Sequence, residues 1–268
     1  MADDSVSVDQ FNPFKSTSDF DASITLNIHS CNRISVPIGT CQLIENLKWV
    51  SQKSNLGINW SVYDIREDQK KIINLLQINH NWTKASISLL KGYYSKKLFL
   101  PFIGVFFRYA LLFHHGLLIH ASSLKWDEKG IVFSAPTETG KTTQANLWKK
   151  YMGASIINDD HTALRVEKEY TQVYGVPWCK PSATINNDNA PVKAIILLEQ
   201  DSNNSLQKLN YNEIIQKLLP RCFLPYFSED LMKIALDNFY RIILTTPVYL
   251  LKCKPNREAV DLVYQCVK

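Results

Sequence analysis

The chain has 268 residues, 46% of them hydrophobic, with 12 Tyr, 12 Phe and 6 Trp, which is apolar mass enough for one large domain or two small ones. Its 30 basic and 25 acidic residues leave a net charge of +5 with no basic cluster, so composition gives no ground for nucleic-acid binding. The six cysteines (Cys31, Cys41, Cys179, Cys222, Cys253, Cys266) form no C-x-x-C pair, which argues against a zinc site or a disulfide framework and for free thiols in a reducing cytoplasm.

Residues 1–20 are polar and read as a flexible N-terminus, acidic at its start and unlike a signal peptide. From residue 21 to 95 the pattern is of short alternating runs, at Ile24–Ile28, Ile34–Ile38, Trp60–Tyr63, Ile72–Leu76 and Ala85–Leu89, separated by turn residues such as Asn55 and Gly57. A β-rich region follows from that alternation. Trp49, Trp60 and Trp82 fit strand cores better than a binding groove. The apolar stretch Leu98–Leu118 is interrupted by Pro101, Arg108, His114 and His115, which argues for a buried helix followed by a strand rather than a membrane span.

Residues 96–268 form the second expected region. Leu117–Leu124 and Gly130–Phe133 read as strands joined by a hairpin turn, and Lys141–Tyr151 has helical spacing with Ala145, Leu147, Trp148 and Tyr151 on its inward face. Further strands are expected at Ala154–Asn158, His161–Val166, Thr171–Gly175, Val192–Leu198 and Pro247–Lys252. Helices are expected at Tyr211–Leu219, Ser228–Leu244 and Arg257–Val267, with Ser228 and Asn256 as N-caps. The fold class is therefore α/β (α+β): a mixed-sheet core with a β-rich N-terminal region and C-terminal helices.

Between the strand ending at Phe133 and the helix starting at Lys141 lies Ser-Ala-Pro-Thr-Glu-Thr-Gly. A tight loop from strand to helix ending in Gly-Lys-Thr is the setting in which helix-start amides face an anion. Pro136, Thr137, Glu138, Thr139, Gly140, Lys141, Thr142 and Thr143 are the candidate nucleotide-binding residues, with Lys141 a point charge and Thr142 a hydroxyl ligand for Mg²⁺. The loop opens on Ala135 and carries the carboxylate Glu138 in its middle; read alone, Gly-Lys-Thr is also an exposed turn.

The strand at Ala154–Asn158 ends in Asp159-Asp160. Carboxylates one helix downstream of such a loop are where Mg²⁺ is held in phosphoryl transfer. Adjacent residues on an extended chain point to opposite sides, so one acid is a candidate metal ligand and the other a proton acceptor. His120 lies in the strand neighbouring the loop strand and is either a core histidine or part of the site. Lys180, in the Gly- and Pro-containing segment Tyr174–Lys180, is a candidate contact for a phosphate or acceptor, or a solvated lysine.

His120-Ala-Ser, the Phe133–Ala145 loop segment, Asn158-Asp-Asp160, Gly175-Val-Pro-Trp178 and Ala194–Gln200 occur in that order. The set resembles the HPr kinase/phosphorylase-like branch of the phosphoenolpyruvate carboxykinase superfamily. More closely it is similar to stand-alone relatives near peptide-modification gene clusters, some of which phosphorylate a serine of a precursor peptide. The resemblance covers about residues 115–268. It implies a P-loop kinase core using ATP or GTP with Mg²⁺. Lys141 would then hold the β- and γ-phosphates, Thr142 would ligate the metal with Asp159 assisting, and Asp160 would be the general base. His120 would face the transferred phosphate. Two positions depart from the family pattern: Glu138 stands where Gly is common, and Gln172 falls near the place of a second metal-binding glutamate. The expected activity is transfer of a γ-phosphoryl group to a Ser or Thr hydroxyl of a peptide or small protein. An inactive nucleotide-binding regulator and a small-molecule kinase are the alternatives. No nucleic acid or membrane partner is expected, and the resemblance allows a homo-oligomer.

Overall fold

The computed structural model describes residues 11, 24–44, 46–66, 71–93, 95–178 and 186–268. Contacts divide the chain into two compact units, the first ending at Phe113 and the second containing His114–Lys268.

The first unit holds strands β1 (Thr25–Cys31), β2 (Thr40–Ile44), β3 (Leu47–Ser54), β4 (Gly57–Arg66), β5 (Lys71–Ile78) and β6 (Lys84–Leu90), and helix α1 (Lys96–Ala110). Strands β2 to β6 form an antiparallel meander and β1 adds parallel to β6, giving the order β1-β6-β5-β4-β3-β2. Alternation along β3 sends Trp49 and Val50 to opposite faces, and both are buried. Trp49 meets Trp60 at 6.2 Å and Tyr109 of α1 at 5.9 Å between ring centroids, while Trp82 meets the same Tyr109 at 5.6 Å. The three tryptophans are therefore core and line no groove. On the other face Val50, Tyr63, Ile72 and Leu75 cluster with Ile34 packed against them. Residues 33–38 are not a strand, contrary to expectation: Pro37 lacks a ladder donor, and this segment supplies Ile34 to the sheet face. The polar stretches of β2 and β3 hid two strands from the hydrophobic pattern. Helix α1 packs on β5 and β6 and so belongs to this unit.

The second unit holds β7 (Gly116–Trp126), β8 (Lys129–Ser134), α2 (Lys141–Met152), β9 (Ser155–Asn158), β10 (His161–Glu167), β11 (Tyr170–Tyr174), β12 (Asn189–Gln200), β13 (Ser205–Lys208), α3 (Tyr211–Leu218), α4 (Glu229–Thr245), β14 (Val248–Cys253) and α5 (Arg257–Val267). The sheet order is β11-β10-β7-β8-β12-β14-β13, with β9 also on β7. Parallel pairing runs β8–β12–β14, the strands with continuous apolar runs, as burial on both faces requires. The fold is thus mixed α/β, with two mixed sheets and helices.

Local chemistry fixes the joints. Asp127 (φ 47°) and Glu128 (φ 57°) both adopt left-handed backbone, the conformation of a two-residue hairpin turn matching strand twist, and join β7 to β8. Ser228 and Asn256 accept the Leu231 and Ala259 amides as N-caps, and Asn210 with Glu213 forms a capping box on α3. Helix α2 buries Lys141, Gln144, Ala145 and Trp148, and ends on Gly153 at φ 69°. Its stripe passes from Trp148 to Met152, and Tyr151 is exposed rather than on the inward face. Trp148 packs with Phe133, Ile196, Leu251, Val260 and Val263 in the core beneath α2 and α5. Among the described residues no helix is long and apolar enough to cross a membrane, and the five described cysteines are unpaired.

Candidate functional site

Strand β8 delivers the chain at Ser134 to the carboxyl edge of the parallel strands, and α2 starts at Lys141. The loop between them turns on a Thr139 amide donating to the Pro136 carbonyl at 3.4 Å. Gly140, at φ 112°, is the N-cap of α2 and offers no capping side chain. No N-cap side chain thus covers the positive end of α2, the kind of helix end at which an anion is received. Glu138 also lies in the left-handed region, at φ 64°, and its side chain is exposed. Glycine suits that conformation better.

Lys141 is buried, and its ammonium donates to the Ala135 and Pro136 carbonyls at 3.0 and 3.1 Å. These bonds curl the loop around the positive charge. One residue on, the Thr142 hydroxyl donates to Asp159 Oδ1 at 2.7 Å. Ser122 on β7 donates to the same carboxylate oxygen and to the Asp159 carbonyl, both at 3.1 Å, so Asp159 is held from helix and sheet at once.

Asp160 turns the other way. Its carbonyl accepts the Ala121 amide, and its carboxylate lies 3.0 Å from His161 Nδ1 and 3.7 Å from His120 Nε2. The two histidines face each other across the β7–β10 ladder. Ser134 at the base of the loop donates to the His120 carbonyl at 2.8 Å, coupling loop and histidine strand. Behind Asp159, the Asn158 side chain donates to the Tyr174 carbonyl at 2.9 Å and accepts the Val176 amide at 3.1 Å. This clamps the Gly175-Val-Pro segment. A side chain at Gly175 would meet the Asn186 carbonyl, 2.0 Å from an added Cβ, so only glycine fits. Burial, reinforced by a hydrogen bond to Glu167, raises the Tyr174 phenol to about 12.

The structure therefore brings Lys141, Thr142, Asp159, Asp160 and His120 to one end of the sheet, with Pro136 to Thr143 forming the loop and first helical turn beside them. Lys180 lies outside the described residues. Gln172 is buried and donates to Asn189 Oδ1 at 2.6 Å, an amide in a β11–β12 contact. Sequence reasoning gave no site role to His161, to Ser122 (quoted only within His120-Ala-Ser) or to Phe223, whose ring stacks on His161 at 5.0 Å. His161 carried a signal: it follows the acid pair and opens the strand expected beside His120's.

Thr142 and Asp159 offer oxygen donors only, the set a hard cation such as Mg²⁺ takes, with phosphate oxygens completing the shell. Among the described residues no group of three or more His, Cys, Asp or Glu side chains is disposed to hold a metal by itself. Two clefts open beside the loop. One, of about 610 Å³, is lined by Ala135–Thr139, Leu197, Leu250, Lys217 and Arg221 among others. The other, of about 590 Å³, is lined by Gly140, Thr143, Asp201 and Lys254 among others. Cys253 in its wall has its thiol pushed up by burial, against the effect of a hydrogen bond from Gln144.

No protein-family model matches the chain, and no curated protein matches it. Among solved structures the chain is similar to the Hpr(Ser) kinase/phosphatase from Coxiella burnetii, with 15% identity over 56% of this chain and 87% of that one, at a TM-score of 0.32.

Proposed function

We propose that the second unit is an ATP- or GTP-dependent kinase that transfers the γ-phosphoryl group to a Ser or Thr hydroxyl of a peptide or small protein. One observation carries this reading: the Thr142 hydroxyl and the Asp159 carboxylate meet at 2.7 Å, at the mouth of a loop whose amides, lysine and helix end are all positive. The β- and γ-phosphates lie against the loop amides and Lys141. Thr142 and Asp159 would hold Mg²⁺, which would supply charge neutralisation at the phosphate oxygens. The acceptor hydroxyl approaches from the β7–β10 side and gives its proton to Asp160 as its oxygen bonds to the γ-phosphorus. The bond from that phosphorus to the β–γ bridging oxygen breaks, and the nucleoside diphosphate leaves with the electron pair. Positioning and charge neutralisation supply nearly all the acceleration in such a transfer. His120 and His161 flank the Asp160 carboxylate, with ring nitrogens 3.7 and 3.0 Å from its oxygens.

The test is incorporation of label from γ-labelled ATP or GTP into hydroxyl-bearing peptides, with Lys141→Ala and Asp160→Asn as controls. Transfer by the wild type, lost in both variants, supports the kinase. Nucleotide binding with neither transfer nor hydrolysis would mean a regulator that only binds, and transfer to metabolites but not to peptides a small-molecule kinase.

A further inference from the structure

We infer that Arg221 is a catalytic cation of the same site, donating to the γ-phosphoryl oxygens during transfer, with Lys217 one helical turn earlier as a second positive group. The inference rests on the kinase reading above and adds a residue that no sequence motif marks.

Arg221 is located by the cleft it lines and by the pairing of the two residues that follow it with β7. It lines the 610 Å³ cleft together with the loop residues Ala135 to Thr139. Its neighbour Cys222 forms an antiparallel bridge with Ile119, next to His120, and the Phe223 amide donates to the Leu118 carbonyl at 3.0 Å. Phe223 then stacks on His161, which touches Asp160. The segment 221–223 thus runs from the loop's cleft to the proton acceptor, and a phosphoryl group passing from loop to acceptor travels along it.

The two ends of the loop argue for the γ-phosphate end in particular. In this inference the triphosphate lies on the loop with its nucleoside past Thr143, on the side of the 590 Å³ cleft, and its terminal group on the side of the 610 Å³ cleft, whose lining includes Arg221 and Lys217. Lys217 is held 2.6 Å from Glu199 there, both partly exposed. An ammonium held by a carboxylate is a weaker claimant on phosphate than Arg221, whose planar fork matches two phosphoryl oxygens at once.

The test uses the full chain with Arg221→Ala and Arg221→Lys, comparing turnover and the affinities for ATP and ADP measured calorimetrically with Mg²⁺. An arginine acting on the transferring group is worth roughly 10³-fold or more in kcat, so Arg221→Ala should lose at least about 10²-fold, with ADP affinity changed by less than about threefold. Arg221→Lys should recover only a small part of that loss. The ratio of ATP to ADP affinity should also fall in Arg221→Ala, a readout that survives if the wild type proves to bind nucleotide without transfer. Turnover within about threefold of wild type, or an unchanged affinity ratio in a chain that does not transfer, would overturn the role of Arg221 while leaving the nucleotide site standing. A wild type that binds no nucleotide overturns the kinase reading and Arg221's role with it.

Discussion

The Thr142 hydroxyl donates to the Asp159 carboxylate at 2.7 Å, joining the first turn of α2 to the end of β9 across 17 residues of sequence. If those two oxygens are metal ligands, removing the carboxylate charge should weaken nucleotide binding only where Mg²⁺ is present. Asp159→Asn is expected to lower Mg²⁺-dependent ATP affinity at least about tenfold, the scale at which even outer-shell partners of a metal act. Titrations of ATP at several Mg²⁺ concentrations read this directly. An identical Mg²⁺ dependence in wild type and variant removes Asp159 from the metal.

Glu138 carries both a left-handed backbone and a negative charge in the loop. Replacing it by glycine relieves roughly 1 kcal/mol of backbone strain, but frees the unfolded chain by a similar amount, so stability should stay within about 0.5 kcal/mol. Glu138→Gln leaves the backbone alone and removes the charge. Its ATP affinity should rise by up to about fivefold, the ~1 kcal/mol that two like charges about 4 Å apart exchange in water. Weaker binding by Glu138→Gln would instead give the carboxylate a constructive part in holding the metal or nucleotide.

Trp148 has no exposed surface and meets Trp126 edge-on at 5.8 Å, with Trp126 in turn against Tyr264 at 5.5 Å. Trp148→Ala should cost about 3–5 kcal/mol in urea unfolding, because the sheet and α5 cannot close over so large a void. Trp148→Phe keeps most of the volume and should cost clearly less. A loss below about 1 kcal/mol for the alanine variant would place the ring at the surface in solution.

His114 titrates below its ordinary value because burial disfavours its charge, with the Arg165 guanidinium and His115 adding repulsion. The unfolded chain therefore takes up a proton near pH ~6.5 that the native chain still refuses, and stability falls as pH drops through the window just below that value. His114→Asn should flatten this part of the dependence. Urea midpoints of the two proteins, compared between pH ~7 and ~5.5, test it; parallel curves would show that His114 titrates normally.

The apolar strands β8, β12 and β14 were legible because a strand covered on both faces must be apolar throughout, and the helix N-caps because Ser228 and Asn256 satisfy amides three residues away. β2, β3 and β13 were not legible: each has polar residues on exposed positions and takes its strand geometry from a neighbour's ladder. For the same reason the tryptophans of the first unit were ambiguous in sequence and are unambiguous once Tyr109 stands between them.

By itself the sequence determined the strand–loop–helix around Lys141 and the divergence of Asp159 from Asp160, since both follow from backbone geometry within a few residues. Only the tertiary structure decided that Thr142 reaches Asp159, that His120 and His161 flank Asp160, and that Arg221 edges the loop's cleft. Apart from the adjacent pair Asp160 and His161, those contacts join residues 17 to more than 80 positions apart, and no local periodicity encodes which distant side chains share a sheet edge; the strand order does.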